Sequence, residues 1–95
     1  MIRVLIVDDQ EMIRAGLRVI IDAHPDLQVV AESGDALAAI RLLSDAEVDV
    51  VLMDIRMPGI DGVEATRRIR ATHPAPQLPI LILTTFDQDE FVLAA

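Results

Sequence analysis

The chain contains no cysteine, lysine, tryptophan or tyrosine. Without cysteine it can form neither a disulfide nor a thiolate metal site. Its two histidines, His24 and His73, lie far apart and each precedes a proline, which is a poor arrangement for binding zinc. Any metal ion in this protein is therefore expected to be a hard cation with oxygen ligands.

Long hydrophobic runs and an excess of basic charge are also absent. No apolar stretch approaches the length of a membrane-spanning helix, and no basic segment with a cleavage site precedes Ile2. We therefore expect a cytoplasmic protein without a membrane partner. Sixteen acidic residues against eight basic residues give a net charge of -8, which repels phosphate backbones over much of the surface. We expect no nucleic acid to bind to this chain itself.

Strand and helix patterns alternate regularly along the chain. Continuous apolar runs, typical of strands buried on both faces, occupy 2–7, 48–53 and 79–83, and a more alternating edge-strand pattern occupies 27–32. Helical periods lie between them, with Ser33-Gly34-Asp35 opening the second helix and Asp61 or Gly62 opening the third. The 95 residues suit one small domain, residues 1–95. The order β-α-β-α-β-α-β predicts a doubly wound α/β fold with a parallel sheet and right-handed crossovers.

Acidic side chains follow two of the predicted strands. Asp8 and Asp9 come directly after Val4–Val7, and Asp54 closes the run Val50–Met53. Ligands of doubly wound sheets bind beyond the carboxyl ends of the strands, where these side chains would meet. Two carboxylates about 5 Å apart repel by roughly 3 kcal/mol at an effective dielectric constant near 20, and a magnesium ion would relieve that repulsion. One carboxylate could then attack phosphorus to give an acyl phosphate.

The loops at the same edge contain further candidates. Thr84 follows the fourth apolar run and could place its hydroxyl on a phosphoryl oxygen, and backbone amides of residues 56–58 could donate to the same group, Pro58 excepted. We interpret Met57-Pro58-Gly59 and Asp61-Gly62 as turns that position the site.

Simpler structural interpretations compete with these assignments. Any one of the three aspartates is equally well explained as a helix N-cap, and only the whole set favours a functional site. The segment Thr85–Asp87 could be a loop that begins another helix. Most arginines are interpreted as parts of solvated helix faces, namely Arg14, Arg18, Arg67, Arg68 and Arg70.

Three motifs together resemble the response-regulator receiver domain of two-component signalling. They are Val7-Asp8-Asp9, the segment Met53-Asp54-Ile55-Arg56-Met57-Pro58-Gly59-Ile60-Asp61-Gly62, and Leu83-Thr84-Thr85. They follow the order and spacing of the family over the whole chain. The Leu-Thr-Thr-Phe-Asp segment and Arg-Ala-Gly-Leu in the first helix are similar to the NarL/FixJ subfamily, whose receivers precede a LuxR-type helix-turn-helix domain. The resemblance implies a flavodoxin-like fold with strand order 2-1-3-4.

The resemblance also implies roles for the acidic residues. Asp54 would accept a phosphoryl group from a sensor histidine kinase. Asp9 would bind Mg²⁺ directly and Asp8 directly or through water, and Asp54 and the backbone carbonyl of Arg56 would complete the protein ligands. Phosphorylation would control dimerisation and a DNA-binding output domain of the parent protein. A receiver of this kind assists its own phosphorylation and dephosphorylation and is not a turnover enzyme.

Two further positions are assigned by the same resemblance. Thr84 would contact the phosphoryl group and report its presence. Arg56 and Phe86, which come two residues after Asp54 and Thr84 respectively, occupy positions that tune dephosphorylation in the family.

The chain departs from the family pattern at its C-terminal end. Family members continue through a fourth helix to a fifth strand that ends in lysine and then to a fifth helix, whereas this chain has no lysine and ends at Ala95. We expect the chain to be a piece of a longer regulator that stops within the fourth helix. Loss of the later elements would leave Ile80–Leu83 as an unprotected edge and bare apolar surface on the first helix. A homodimer or a domain-swapped oligomer is then expected.

Three alternative functions are distinguishable from the residues. An aspartate-nucleophile phosphatase would need Asp-x-Asp after the first strand, but Gln10 stands two places after Asp8. A nucleotide-binding enzyme would need a glycine-rich loop at that position, and this loop is acidic instead. The third alternative is a receiver that cannot be phosphorylated and acts only as a dimerisation or interaction module.

Overall fold

The computed structural model describes residues 1–57, 59–74 and 77–83, together with the backbone of 92–94. The predicted alternation of strands and helices is confirmed in these residues. In chain order the elements are β1 (Ile2–Val7), α1 (Glu11–Asp22), β2 (Leu27–Ser33), α2 (Ala36–Asp45), β3 (Val50–Asp54), α3 (Gly62–Thr72), β4 (Ile80–Leu83) and β5 (Val92–Ala94).

The first four strands form a parallel sheet in the order β2-β1-β3-β4, as the resemblance implies. The pairing of Val7 with both Ser33 and Met53 aligns the carboxyl ends of β1, β2 and β3, and the pairing of Asp54 with Leu83 adds β4. Each crossover between parallel strands contains a helix. The sheet therefore brings the segments after all four strands to one edge, and this edge contains the acidic cluster.

Helices cover both faces of the sheet, which explains why the strands are continuously apolar. On one face α2 and α3 pack on residues such as Leu5, Val51 and Met53, all completely buried. On the other face α1 packs through Ile21 against Val4 and Ile6. β2 alternates between half-buried and exposed positions over most of its length, as predicted for an edge strand.

Side-chain caps begin two of the helices at the predicted residues. Asp35 caps α2 by accepting a hydrogen bond from the amide of Leu37, and Asp61 caps α3 by accepting one from the amide of Glu64 at 2.9 Å. Each cap satisfies an amide that has no partner inside its helix, and the negative charge suits the positive end of the helix dipole.

The expectation of an unprotected edge at Ile80–Leu83 is wrong, and so is the expectation that the chain is helical up to Ala95. β5 runs antiparallel to β4, with Ile80 opposite Ala94 and Ile82 opposite Val92. Folding back in this way supplies hydrogen-bond partners to backbone groups of β4 that would otherwise face solvent. An antiparallel return needs no helical crossover, so the eight residues between Leu83 and Val92 are enough. β5 is not the lysine-ending strand of the family.

Apolar surface on α1 is uncovered, as expected. Val19 and Ile20 are 71% and 61% exposed. Beside α1, an apolar groove with a volume of about 510 Å³ lies on the same face of the sheet and is lined in part by Ile21, Val50 and Leu81. Among the described helices, none has both the length and the apolar composition needed to cross a bilayer.

Candidate functional site

Three carboxylates meet at the carboxyl ends of β1 and β3. Asp8, Asp9 and Asp54 each place a carboxylate oxygen within 4.8 Å of the others. Asp54 is 3% exposed and Asp8 is 1% exposed, whereas Asp9 faces solvent. The three residues that sequence analysis selected at the strand ends therefore form one cluster, with two members buried and the third at its opening.

Backbone contacts on both sides hold Asp8 in place. Its amide donates to the carbonyl of Ser33 at 3.0 Å, and its own carbonyl accepts a hydrogen bond from the Arg14 guanidinium at 2.6 Å. Its side-chain oxygen Oδ1 accepts a hydrogen bond from the amide of Gln10 at 2.9 Å, so Asp8 also serves the turn into α1. Among the residues that the structure describes, none donates to the buried Oδ2 atom of Asp8.

The backbone around Asp54 is fixed by the close approach of α3. The amide of Gly62, the first residue of α3, donates to the carbonyl of Ile55 at 3.0 Å. A Cβ atom on Gly62 would lie 2.4 Å from the carbonyl oxygen of Asp54, a distance that no real side chain tolerates. Glycine is therefore required here by space. The Asp54 side chain accepts a long hydrogen bond, 3.3 Å, from the amide of Arg56.

Burial and mutual repulsion disfavour ionisation of the two buried acids. The pKa of Asp54 is raised to about 6, mainly by burial and in smaller part by the charges of Asp8 and Asp9. Burial likewise raises the pKa of Asp8, against the hydrogen bond from Gln10. Near neutral pH the site therefore concentrates negative charge in a small volume.

The donor set fits a small hard cation. A magnesium ion prefers carboxylate and carbonyl oxygens and retains water ligands, and the exposed side of the cluster at Asp9 leaves room for water. The buried Oδ2 atom of Asp8, with no donor from the described part of the chain, is the kind of oxygen that a cation would satisfy. The cluster contains only oxygen ligands, which disfavours zinc and copper.

The pH dependence of stability in the absence of metal follows from Asp54. Because its folded-state pKa of about 6 lies above its ordinary value of 3.8, protonated Asp54 favours the folded state, and this contribution is lost as the pH rises from about 4 to about 6. About two pKa units correspond to roughly 3 kcal/mol in the free energy of unfolding. Urea unfolding in EDTA across this range should show the decrease, and Asp54→Asn should remove most of it. An equal decrease in that variant would assign the effect to other groups.

The structure describes some of the remaining predicted positions. Met57 is buried in the core beneath the loop, Gly59 adopts the left-handed conformation with φ +81°, and Arg56 has an exposed side chain. Asp61 and Gly62 begin α3 as described above. Pro58, Thr84 and Phe86 lie outside the described residues, so their predicted roles are not tested by the structure.

The expectation that Arg14 and Arg70 lie on solvated helix faces is wrong. Arg14 is largely buried between the carbonyl of Asp8 and the carboxylate of Glu32, and Arg70 donates to the carbonyls of His73 and Leu78. Arg67 and Arg68 do lie on such a face, paired with Glu64. The signal that could have found Arg14 is its place one turn inside the helix that follows the acidic pair.

The comparison with known protein families decides the family of the chain. The family model described as response regulator receiver domain matches residues 4–95 of the chain. The chain is a response regulator receiver domain. This result confirms the resemblance that the strand-end motifs indicated.

Known relatives agree with this assignment. The receiver domain is 44% identical over 92 residues to the transcriptional regulatory protein LiaR of Bacillus subtilis, which covers 97% of this chain and 43% of LiaR. A LuxR-family two-component response regulator from Aurantimonas is 42% identical, with a TM-score of 0.82 over 90% of this chain and 59% of that one. The response regulator domain of Thermotoga maritima CheB is 34% identical, with a TM-score of 0.84, and the match covers 97% of this chain and 66% of that one.

The relatives also place the receiver domain in its subfamily. Solved structures described as LuxR-family regulators occur among the structural neighbours, as predicted from the first helix and the Leu-Thr-Thr segment. The chain spans less than half the length of LiaR.

Proposed function

We propose that this receiver domain accepts a phosphoryl group on Asp54 from a sensor histidine kinase. The observation that carries the proposal is the position of Asp54, buried to 3% exposure at the end of β3 and within 4.8 Å of two further carboxylates. A buried acid with a raised pKa in an acidic cluster destabilises the metal-free fold, and such groups concentrate at functional sites. Packing alone gives no reason to place three carboxylates together.

In the proposed reaction a carboxylate oxygen of Asp54 attacks the phosphorus atom of a phosphohistidine. The new bond joins the Asp54 oxygen to phosphorus, the bond between phosphorus and the imidazole nitrogen breaks, and its electron pair returns to that nitrogen, which takes up a proton. The product is an acyl phosphate on Asp54. Asp54 must be ionised to attack, and its pKa of about 6 leaves it mainly ionised near neutral pH.

Asp8 and Asp9, together with Asp54 and the carbonyl of Arg56, would hold Mg²⁺. When bound, the ion neutralises charge on the carboxylates and on the transferring phosphoryl oxygens. The chain itself fixes the geometry, because Gly62 holds the end of β3 and the Ser33 carbonyl holds the end of β1. The amide of Arg56 donates to Asp54 at 3.3 Å, and it would donate to a phosphoryl oxygen on the same carboxylate. Thr84 would contact the phosphoryl group, and Arg56 and Phe86 would tune the rate of dephosphorylation.

The wider role follows from the relatives and is part of the proposal. The parent regulator would act in the cytoplasm, and phosphorylation would control its dimerisation and a LuxR-type DNA-binding domain. RcsB of Salmonella enterica, a structural neighbour, is described bound to promoter DNA in the presence of a phosphomimetic. In this scheme the receiver domain assists its own phosphorylation and dephosphorylation without turning over a separate substrate.

A second function is favoured by one observation, the exposed apolar surface on α1. In this alternative the domain is a receiver that is not phosphorylated and acts only as a dimerisation or interaction module. The exposed residues Val19 and Ile20 on α1 provide apolar surface for such contacts.

Incubation with Mg²⁺ and a small phosphodonor such as acetyl phosphate distinguishes these functions. We expect intact-mass spectra to show one added phosphoryl group, which hydroxylamine removes as expected of an acyl phosphate. Both Asp54→Asn and EDTA should abolish the addition, since the first removes the nucleophile and the second the metal.

Beryllofluoride binding to the unmodified chain gives an independent measurement on the same residue. If acetyl phosphate adds no phosphoryl group and beryllofluoride does not bind, the chain is an interaction module. If Asp54→Asn is phosphorylated as fast as the wild type, another residue is the acceptor.

A further inference from the structure

We propose that Arg14 is a positioning residue that sets the geometry of the Asp8–Asp9 pair for Mg²⁺, an inference that rests on the proposed function. The guanidinium donates from Nη1 to the carbonyl oxygen of Asp8 at 2.6 Å. That carbonyl belongs to the peptide unit that joins Asp8 to Asp9. Its orientation therefore determines the direction in which the chain leaves the buried acid and reaches the exposed one.

The contacts of Asp8 show what Arg14 adds. The amide of Asp8 is held by Ser33 and its side chain by the amide of Gln10, so the N-terminal side of the residue is already fixed. Arg14 is the side chain seen to hold the C-terminal side, among the residues that the structure describes. A charge-assisted hydrogen bond to a carbonyl is stronger than a neutral one, and a planar guanidinium fixes direction as well as distance.

A second contact holds the guanidinium itself. Arg14 Nε lies 3.2 Å from Glu32 Oε1, and the two side chains are only 19% and 21% exposed. Glu32 belongs to β2, so Arg14 joins the end of β1 to the neighbouring edge strand. Because this pair is mostly shielded from water, its geometry is better defined than that of an exposed ion pair.

The space that Arg14 occupies depends on Gly34. A Cβ atom on Gly34 would lie 3.0 Å from Nη1 of Arg14 and 3.7 Å from the carbonyl oxygen of Asp8. The nearest atom is the end of a flexible side chain, so alanine at this position would displace the guanidinium by a few tenths of an ångström rather than break the fold. Gly34 therefore provides a second way to disturb the same contact.

Arg18 is the matched control because it shares one contact with Arg14 and lacks the other. Its Nη2 atom lies 2.7 Å from Glu32 Oε2, but it has no contact with Asp8 and its side chain is 52% exposed. Replacement of either arginine by methionine removes one positive charge beside Glu32 and keeps an aliphatic stem. Only the Arg14 replacement removes the donor to the Asp8 carbonyl.

A purely electrostatic role and a positioning role for Arg14 predict opposite effects of its removal on the affinity for Mg²⁺. Arg14 is a positive charge near the acidic cluster, so its removal should strengthen Mg²⁺ binding if charge alone matters. If Arg14 positions the Asp8–Asp9 peptide, its removal should weaken binding. Loss of a group that orients metal ligands typically weakens metal affinity by about 10-fold to 100-fold.

The experiment is titration calorimetry of Mg²⁺ into wild type, Arg14→Met, Arg18→Met and Gly34→Ala, with folding checked by circular dichroism. We expect a Kd for Mg²⁺ that is about 10-fold higher for Arg14→Met, changed less than about 2-fold for Arg18→Met, and intermediate for Gly34→Ala. With acetyl phosphate, the Mg²⁺ concentration for half-maximal phosphorylation should rise in parallel for Arg14→Met, while the rate at saturating Mg²⁺ stays near that of the wild type.

Each possible outcome separates this inference from the proposed function. Unchanged or tighter Mg²⁺ binding by Arg14→Met overturns the inference, and so does equal weakening in Arg18→Met. If either result is found and the wild type is still phosphorylated, the inference fails but the proposed function stands. An Arg14-dependent Mg²⁺ affinity in a chain that takes no phosphoryl group would support the inference and refute the phosphoacceptor function. A wild type that binds no Mg²⁺ overturns the inference.

Discussion

A Gly62→Ala variant is expected to lose about 3 kcal/mol or more of unfolding free energy, a cost at the upper end for overpacking. The added Cβ atom would lie 2.4 Å from the Asp54 carbonyl oxygen and 2.8 Å from Ile55 Cα, and both are backbone atoms that cannot rotate away. Either α3 must move off the sheet or the end of β3 must shift. For a chain of this size the loss corresponds to a fall in Tm of roughly 12 to 24 °C.

Gly16→Ala is the matched control for this substitution. Gly16 lies inside α1 and a Cβ atom there would meet nothing within 4 Å, so alanine should raise stability by about 0.5 to 1 kcal/mol through its helix propensity. Thermal and urea unfolding of the two variants measure both effects. A Gly62→Ala protein with the Tm of the wild type would contradict the close approach of α3 to β3.

An Asp8→Asn variant is expected to be more stable than the wild type in EDTA and to lose most of the stabilisation that Mg²⁺ provides. Asp8 is 1% exposed, its Oδ2 atom has no donor from the described residues, and Asp54 and Asp9 lie beside it. Removal of its charge should stabilise the metal-free fold by about 2 kcal/mol near neutral pH, somewhat less than the repulsion between adjacent carboxylates. Because burial raises the pKa of Asp8, the advantage should shrink as the pH falls and wild-type Asp8 takes up a proton.

The same substitution removes a metal ligand, so the order of stabilities should reverse at high Mg²⁺ concentration. Ligand binding raises stability by RT ln(1 + [L]/Kd), and a Kd weakened about 100-fold would cost the variant up to about 2.7 kcal/mol of that gain. Asp9→Asn is the control. The Asp9 carboxylate is exposed, so the substitution should change the stability in EDTA little. It should still reduce the stabilisation that Mg²⁺ provides. If Asp8→Asn is less stable than wild type in EDTA, the buried charge is not a cost to the fold.

Much of the fold could be predicted from short-range patterns. The apolar runs of β1, β3 and β4 are continuous because helices cover both faces of the sheet. The carboxylates of Asp35 and Asp61 cap the N-termini of α2 and α3. Pairing of β5 with β4 could not be predicted in this way. Whether the last residues form a helix or a strand depends on the open edge of β4, which exists only in the assembled sheet.

Local sequence patterns likewise predict one part of the site and not another. The positions of Asp8, Asp9 and Asp54 follow from the strand pattern, since parallel strands place their carboxyl ends at one edge. The role of Arg14 does not, because an arginine in the first turn of an amphipathic helix has the same local pattern whether it is solvated or bonded to a carbonyl. Its contact with Asp8 depends on the space above Gly34 and on Glu32 of the adjacent strand.

The sequence by itself determined the alternation of strands and helices, the acidic residues at the strand ends and the membership in the receiver family. These properties depend on the period of apolar side chains and on motif spacing, which are local along the chain. The tertiary structure alone decided that Asp54 and Asp8 are buried while Asp9 faces solvent, that Gly62 must lack a side chain, and that β5 closes the edge of β4. Burial, close approach and edge pairing all depend on which distant segments become neighbours, and no local pattern contains that information.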